Sequence, residues 1–523
     1  MGQINYTVSY PLNRMYRQVK CSFLQRSLEM QRNSDPSYVK CGKVVNGDLP
    51  LQLAPNEPPL VLGDVTVNQR LVKDPCVLLQ FAQFNRFLVL GLRPQIYILY
   101  RLVRESSRQA YPQILQTWEF EVDIASVGDL DTTQPNVFSY CDCLGCSESD
   151  EVTYRFEIAE IKTTNTEVLS NTNESFTATL LSKEHTPCET VEMDLFDCPI
   201  YEKQVSPPIE ESEAYADCGQ VFHPVLPQQL KKKEPPVQLA QVTIDKHDFH
   251  RSCFLITFSA FIKSTLSPGG FNNLVFRLVR TCSRDSKREV LNEWPFRRAF
   301  PSAIILDEPV VFRYCDCSAN KTKEDCIYTM ELVRVNVDEQ SSYDIRQVSM
   351  TAQVVNTGNS ESSNKPADSP SLTCGDVTNV HVPNERTKLP IQLAKVKVKT
   401  DRMKKPCVLI NYSSMFEVRI ASGFGFNGTI SFQLIRKSKK AGQTKVLEEW
   451  TVDLRQVIPT PTTELIMVQP FVLSYCDCLD HHHEKSFTYE FQISDFTVSN
   501  IAATIFNPVV SAFLSPGEGE CES

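Results

Sequence analysis

The sequence predicts an all-β protein made of three tandem antiparallel β-sandwich domains of jelly-roll-like form. Three observations point there: a set of landmarks that recurs three times, short alternating apolar runs between polar turns, and no sustained helical period. At roughly 150 residues per domain, a chain of 523 residues has room for three such units, each large enough to bury its own core.

The landmarks fall in one order. Each copy opens on Cys-Gly, at Cys41-Gly42, Cys218-Gly219 and Cys374-Gly375. A first alternating run follows: LVLGDVTV from Leu60, VQLAQVTI from Val237 and IQLAKVKV from Ile391. The second run carries a cysteine, DPCVLLQF from Asp74, RSCFLITF from Arg251 and KPCVLINY from Lys405, which puts Cys76, Cys253 and Cys407 at 35, 35 and 33 residues past the opening cysteines. The third is YRLVR from Tyr100, FRLVR from Phe276 and FQLIR from Phe432. The fourth holds the three tryptophans, Trp118, Trp294 and Trp450, one per copy, and these are expected to plug the cores. The fifth ends in Tyr-Cys-Asp-Cys, and two more alternating runs, such as TYRFEI from Thr153 and TYEFQI from Thr488, close the unit. Runs rich in Val, Ile, Phe and Tyr suit a pleated, half-buried surface, so about seven strands per copy are expected.

Composition shifts divide the chain into an N-terminal extension at 1–40, a first repeat at 41–182, an acidic linker at 183–217, a second repeat at 218–356, a Ser/Asn/Pro-rich linker at 357–373, a third repeat at 374–513 and a polar tail at 514–523.

The chain holds 19 cysteines, an odd number that cannot be fully paired internally. Alternation along a strand splits the YCDC segments into two faces. Phe138, Tyr140 and Asp142 share one face and Ser139, Cys141 and Cys143 the other; Phe312 and Tyr314 oppose Arg313, Cys315 and Cys317; Leu473 and Tyr475 oppose Ser474, Cys476 and Cys478. The aromatic face reads as core, which leaves the thiols on the more polar side, suited to bonds across strands, between domains or between molecules. Cysteines two apart on one strand point the same way, so Cys141 and Cys143 each need a separate partner. The candidates for disulfides or cross-links are therefore Cys21, Cys41, Cys76, Cys141, Cys143, Cys218, Cys253, Cys315, Cys317, Cys374, Cys407, Cys476, Cys478 and Cys521. Sequence alone leaves open whether they are oxidised, free, or gathered on zinc, although structural zinc usually takes cysteines two to four residues apart rather than one. The nearest approach to a metal set is Cys476 and Cys478 with His481, His482 and His483, a histidine run that the other copies lack and that reads as a solvated loop.

Several function classes are excluded or unsupported. A formal charge of −10, spread without a basic stripe, argues against nucleic acid. No run of ~18 apolar residues offers a membrane span, and the first thirty residues show no apolar secretory core, so synthesis in the cytoplasm without a signal peptide is expected. The GxGxxG at Gly423–Gly428 matches SPGGFNN from Ser267 in the second copy, a turn between strands, so turn glycines are the reading. No phosphate loop, GxSxG elbow or HExxH is present, and no histidine recurs in register with the cysteines. The expectation is a protein with no catalytic residue, no cofactor and no resident metal.

With the CG, PC and YCDC landmarks placed, the chain resembles uncharacterised cysteine-containing β-domain proteins of anaerobic, spore-forming Firmicutes, here in three tandem copies. Ser252 stands where the other copies have Pro before the cysteine. By architecture it is also similar to the jelly-roll subunits of endospore appendages. That second likeness implies a subunit made without a signal peptide and cross-linked after oxidation. The resulting expectation is a non-enzymatic structural protein of a spore or cell surface that associates with itself or with other surface proteins. The alternatives are a multivalent surface-binding module and, less favoured, a metal-thiolate protein.

Overall fold

The computed structural model describes residues 37–183, 214–356 and 369–516, apart from 70–71, 73–74, 90, 92, 108–110, 126–128, 144–150, 245–251, 284–286, 317–324, 383–388, 401–402, 404, 421–425, 439–442, 458–464 and 480–485. Among these residues there is no α-helix, and strands of four or more residues number eight in each copy.

The first copy comprises β1 (Tyr38–Cys41), β2 (Leu60–Asn68), β3 (Pro75–Val89), β4 (Gln95–Ser106), β5 (Gln113–Ile124), β6 (Asp129–Cys143), β7 (Glu151–Thr164) and β8 (Thr166–Lys183). The second comprises β9 (Ala214–Cys218), β10 (Val237–Ile244), β11 (Ser252–Leu266), β12 (Phe271–Cys282), β13 (Arg288–Ala299), β14 (Ile304–Asp316), β15 (Cys326–Val337) and β16 (Ser342–Asn356). The third comprises β17 (Ser371–Cys374), β18 (Ile391–Lys399), β19 (Pro406–Ile420), β20 (Phe426–Ser438), β21 (Thr444–Val457), β22 (Leu465–Cys478), β23 (Ser486–Ser499) and β24 (Ile501–Pro516). The eighth strand beyond the expected seven is the short one that ends on the opening cysteine. Four or five residues are too few to show an alternating pattern.

Each copy folds as two antiparallel four-stranded sheets. In the first, one sheet runs β1-β8-β3-β6 and the other β2-β7-β4-β5. The second repeats this as β9-β16-β11-β14 and β10-β15-β12-β13, the third as β17-β24-β19-β22 and β18-β23-β20-β21. Two interleaved four-stranded sheets with this connectivity make a jelly roll.

The aromatic face of each YCDC strand closes the sandwich. Phe138 lies 4.8 Å from Phe156 and 5.4 Å from Trp118, ring centre to ring centre, and Phe312 lies 5.2 Å from Trp294. In the third copy Trp450 packs 5.7 Å from Phe491. All three tryptophans are buried core residues. The opening glycines are set by a close approach: a Cβ on Gly42 or Gly219 would meet the carbonyl oxygen of Asp64 or Gln241 at 2.5 Å, and Gly375 is tighter still against Lys395. Only glycine lets the first strand turn onto the facing sheet there.

The copies join in a closed ring. β5 of the first pairs with β14 of the second, from Ile124↔Ile304 to Glu121↔Asp307. β13 of the second pairs with β22 of the third, from Ala299↔Ile466 to Arg297↔Val468, and β21 of the third returns to β6 of the first, from Val457↔Asp129 to Leu454↔Thr132. The tryptophan strand of every copy thus extends the YCDC sheet of the next. The last strand of each copy adds a clasp from a bulge where a non-glycine residue takes positive φ: Asn173, Gln347 and Asn507 donate to the carbonyls of Glu449, Thr117 and Glu293, each just before a neighbour's tryptophan. Val137, Val311 and Val472, one from each YCDC strand, meet in a single apolar cluster. That cluster marks a pseudo-three-fold axis.

Candidate functional site: the cysteine seams

The four letters of YCDC do four different jobs. Tyr140, Tyr314 and Tyr475 pack half-buried against the sandwich cores. The aspartate, on the same face, is buried and paired. Asp142 accepts from Arg104 Nη1 at 3.0 and 3.2 Å and from the Tyr154 hydroxyl at 2.8 Å. Asp477 accepts from Arg436 Nη1 at 2.6 and 2.8 Å and from Tyr489 at 2.8 Å, and Asp316 pairs with Arg280 and Tyr328 in the same way. The arginine is the last letter of YRLVR, FRLVR and FQLIR, and the tyrosine lies near the start of the seventh strand, three residues past its first residue in the first and third copies and two past it in the second. A carboxylate with two donors of this kind is satisfied without water. Burial pushes the Tyr328 and Tyr489 hydroxyls well above their ordinary range, so they remain protonated donors.

The second cysteine of the motif closes its own copy. Cys143 is bonded to Cys76 and Cys478 to Cys407, directly opposite each other on adjacent strands with Cα atoms 4.0 Å apart. That spacing is the close pair of an antiparallel ladder, where side chains approach most nearly. Cys253 of the second copy is disulfide-bonded as well. Its counterpart by the repeat, Cys317, lies outside the described residues.

The first cysteine reaches across to the next copy. Cys141 is bonded to Cys218, Cys315 to Cys374 and Cys476 to Cys41, with Cα separations of 5.9, 5.9 and 6.1 Å. Each bond joins a YCDC strand to the opening cysteine of the following copy, and the last returns over a sequence separation of 435 residues to the first. The ring is therefore closed covalently as well as by strand pairing. The seams are lined by Val39, Ala216 and Leu372 from the opening strands and by Leu78, Leu255 and Leu409 from the second cysteine-bearing run. Both kinds of disulfide meet there: Cys143 Sγ lies 3.2 Å from Cys218 Sγ, and Cys41 Sγ lies 3.7 Å from Cys478 Sγ.

Cys476 and Cys478, named above beside the histidine run, are thus held in bonds to Cys41 and Cys407. The sulfurs of Cys41, Cys476 and Cys478, and those of Cys76, Cys143 and Cys218, do gather within 4.8 Å of one another, but as disulfides rather than thiolates. His481, His482 and His483 lie outside the described residues, as do Cys21 and Cys521.

Sequence reasoning passed over one bridge, Cys282–Cys326, with Cα atoms 4.1 Å apart at the ends of β12 and β15. Its register places match Ser106↔Val152 and Ser438↔Phe487 in the other copies, so the repeat itself gave no hint. The signal available was that both cysteines are confined to one copy, at the ends of two runs that must be neighbours.

Fold and seams together define a class: a single chain in which three jelly rolls are closed into a ring by disulfides. The chain belongs to the DUF4489 family, a domain of unknown function, which matches it three times, at residues 35–180, 213–355 and 370–513. No protein of curated function matches the chain. Among solved structures, it is similar at 8% identity to the N-terminal CBM22-1-CBM22-2 tandem domain from Paenibacillus barcinonensis Xyn10C, covering 51% of this chain and 82% of that one with a TM-score of 0.15. At 10% identity it is similar to PNGF-II, covering 82% and 99% with a TM-score of 0.18. Likenesses of this size carry no argument about what the chain does.

Proposed function

We propose that this is a non-enzymatic structural protein of a spore or cell surface, a pre-closed ring that serves as a covalently locked building unit. The observation that carries the reading is the circuit Cys41–Cys476, Cys141–Cys218 and Cys315–Cys374, which ties every copy to the next and the last to the first. Disulfides spanning long loops stabilise mainly by restricting the unfolded chain, by about 2–4 kcal/mol each. Cross-links of that kind persist in oxidising surroundings and suit material that must endure outside a living cytoplasm. Nothing in the circuit supplies the low-pKa thiolate and base that a cysteine enzyme needs.

Because the described strand cysteines are spent in disulfides, links to neighbouring molecules fall to cysteines outside the described residues, Cys21 in the N-terminal extension and Cys521 in the tail foremost. The test is electrophoresis of protein from its native source with and without reductant. Multimers that collapse to a 59.3 kDa chain on reduction are expected. A monomer band indifferent to reductant would remove covalent assembly.

One observation favours the second reading, a multivalent surface-binding module. Ile114, Val290 and Val446, each four residues before the tryptophan of its copy, are about half exposed, at 52%, 51% and 50%. Three equivalent apolar contacts on one rigid ring would give avidity. Converting all three to Asp abolishes surface binding under this reading and leaves covalent assembly untouched under the first.

A further inference from the structure

The strands that meet on the pseudo-three-fold axis stack their outward residues in layers. One layer is apolar, with Val137, Val311 and Val472 in contact. Two residues along each strand toward the cysteines, the layer turns polar: Ser139 opposite Gln80, Arg313 opposite Thr257, and Ser474 opposite Asn411. Two further residues along, the seam of leucines and disulfides closes the other side. The polar layer thus lies between that apolar layer and a seam whose leucines and disulfides are joined by the buried Thr179 and Gln353.

Its one charge is Arg313, only 2% exposed. Among the described residues no carboxylate answers it. The neighbouring strands put threonines beside it, Thr257 on β11 and then Thr351 on β16, and its single hydrogen bond is a long one from Nη2 to Ser474 Oγ at 3.4 Å. By contrast, Arg298, equally buried at 1%, is met by both oxygens of Glu308 at 2.8 and 3.0 Å. The atoms of the layer left without a protein partner are Arg313 Nε and Nη1, Gln80 Nε2 and the hydroxyls of Ser139 and Ser511. Every one of them can donate, and none is an obligatory acceptor. A buried cation with idle donors on either side is destabilising unless something negative joins it. Water would satisfy the donors but not the charge.

We propose that this layer binds one small monovalent anion of the chloride type, held by Arg313 with help from Gln80 and Ser139. Burial pulls the guanidinium down to about 9, so the charge that recruits the anion is still present at neutral pH. The site exists once per ring because Ser139 and Ser474 stand where the second copy has Arg313. The ion would tie the YCDC strands of the first and second copies together, with the third joined through the bond from Arg313 to Ser474, deepening the locked-ring reading without depending on it.

The full-length oxidised protein is melted in sodium chloride and in sodium gluconate at equal ionic strength, beside Arg313→Ser, which installs the residue of the other copies. The wild type should gain about 2 °C, saturably, in chloride over gluconate, while the variant shows no difference between the two salts. Equal chloride dependence in both proteins, or none in either, overturns the site. Should the variant fail to fold, crystals of the wild type grown in bromide decide the matter: an anomalous peak within hydrogen-bond reach of Arg313 Nε and Nη1 is expected, and its absence contradicts the proposal. Failure here leaves the covalent circuit standing, since that is read by gel and not by salt.

Discussion

The interior of each sandwich and the axis where the sandwiches meet are built on opposite faces of the same YCDC strands, and they obey different rules. Inside, the copies repeat one another: a tryptophan, an aromatic cluster, and an Asp–Arg–Tyr set that recurs as Asp142, Arg104 and Tyr154, as Asp316, Arg280 and Tyr328, and as Asp477, Arg436 and Tyr489. On the axis they diverge, with Ser139, Arg313 and Ser474 at one level and Thr179, Gln353 and Phe513 at another. A sandwich must close its own core, so each copy needs the whole set. The axis has to be filled once per ring, so its three contributors can share the task unequally.

Breaking the circuit should have the largest effect. Cys41→Ser with Cys476→Ser opens the longest loop and should lower stability by about 4 kcal/mol in urea unfolding, while the first and third sandwiches keep their own Cys76–Cys143 and Cys407–Cys478 bonds. A loss no greater than that of a surface substitution would mean that strand pairing alone holds the ring. Next comes the sandwich interior: Asp477→Asn leaves Arg436 buried beside a neutral amide and should cost about 3 kcal/mol. Asp142→Asn should match it, since the repeated set makes the same contacts. On the axis, Ser139→Ala should change stability by less than about 1 kcal/mol. A large effect there would erase the distinction between the two faces.

A pH series sharpens the same contrast from a third place. Glu174, at the bulge of β8, is pushed up to about 8, chiefly by burial, with a hydrogen bond from Asn171 opposing the shift, and its Oε2 has no partner. The folded state therefore holds a proton that the unfolded chain gives up above its ordinary value of 4.5. Its stabilising contribution is complete below pH 4.5 and is lost as pH rises through about 8. Over that window stability should fall by up to about 1.4 kcal/mol per pH unit, and Glu174→Gln should flatten the slope. Unchanged slope in the variant assigns the titration elsewhere.

Much of the sandwich was legible in the sequence because its rules are local. Alternation along Phe138, Tyr140 and Asp142 set the core face, and the same count put Cys141 and Cys143 on the other side. The partners of those cysteines were not legible. Whether Cys141 meets Cys76 or Cys218 depends on which copy sits beside which, and a bond from Cys41 to Cys476 exists only because the ring closes. Arg104, Arg280 and Arg436 stood in plain view in the third run of each copy, yet nothing local says that a strand's last arginine will face the motif's aspartate across the sandwich. Cys282–Cys326 escaped for the opposite reason: reading by repetition discounts what occurs once.

The claim at the centre is that the three copies are tied into a covalent circuit within one chain. Peptide mass mapping of the unreduced protein, with free thiols alkylated before digestion, tests it most directly. Linked peptides carrying Cys41 with Cys476, Cys141 with Cys218 and Cys315 with Cys374 are expected. Recovery of Cys41 and Cys476 as alkylated free thiols, or joined to other cysteines, would contradict the account.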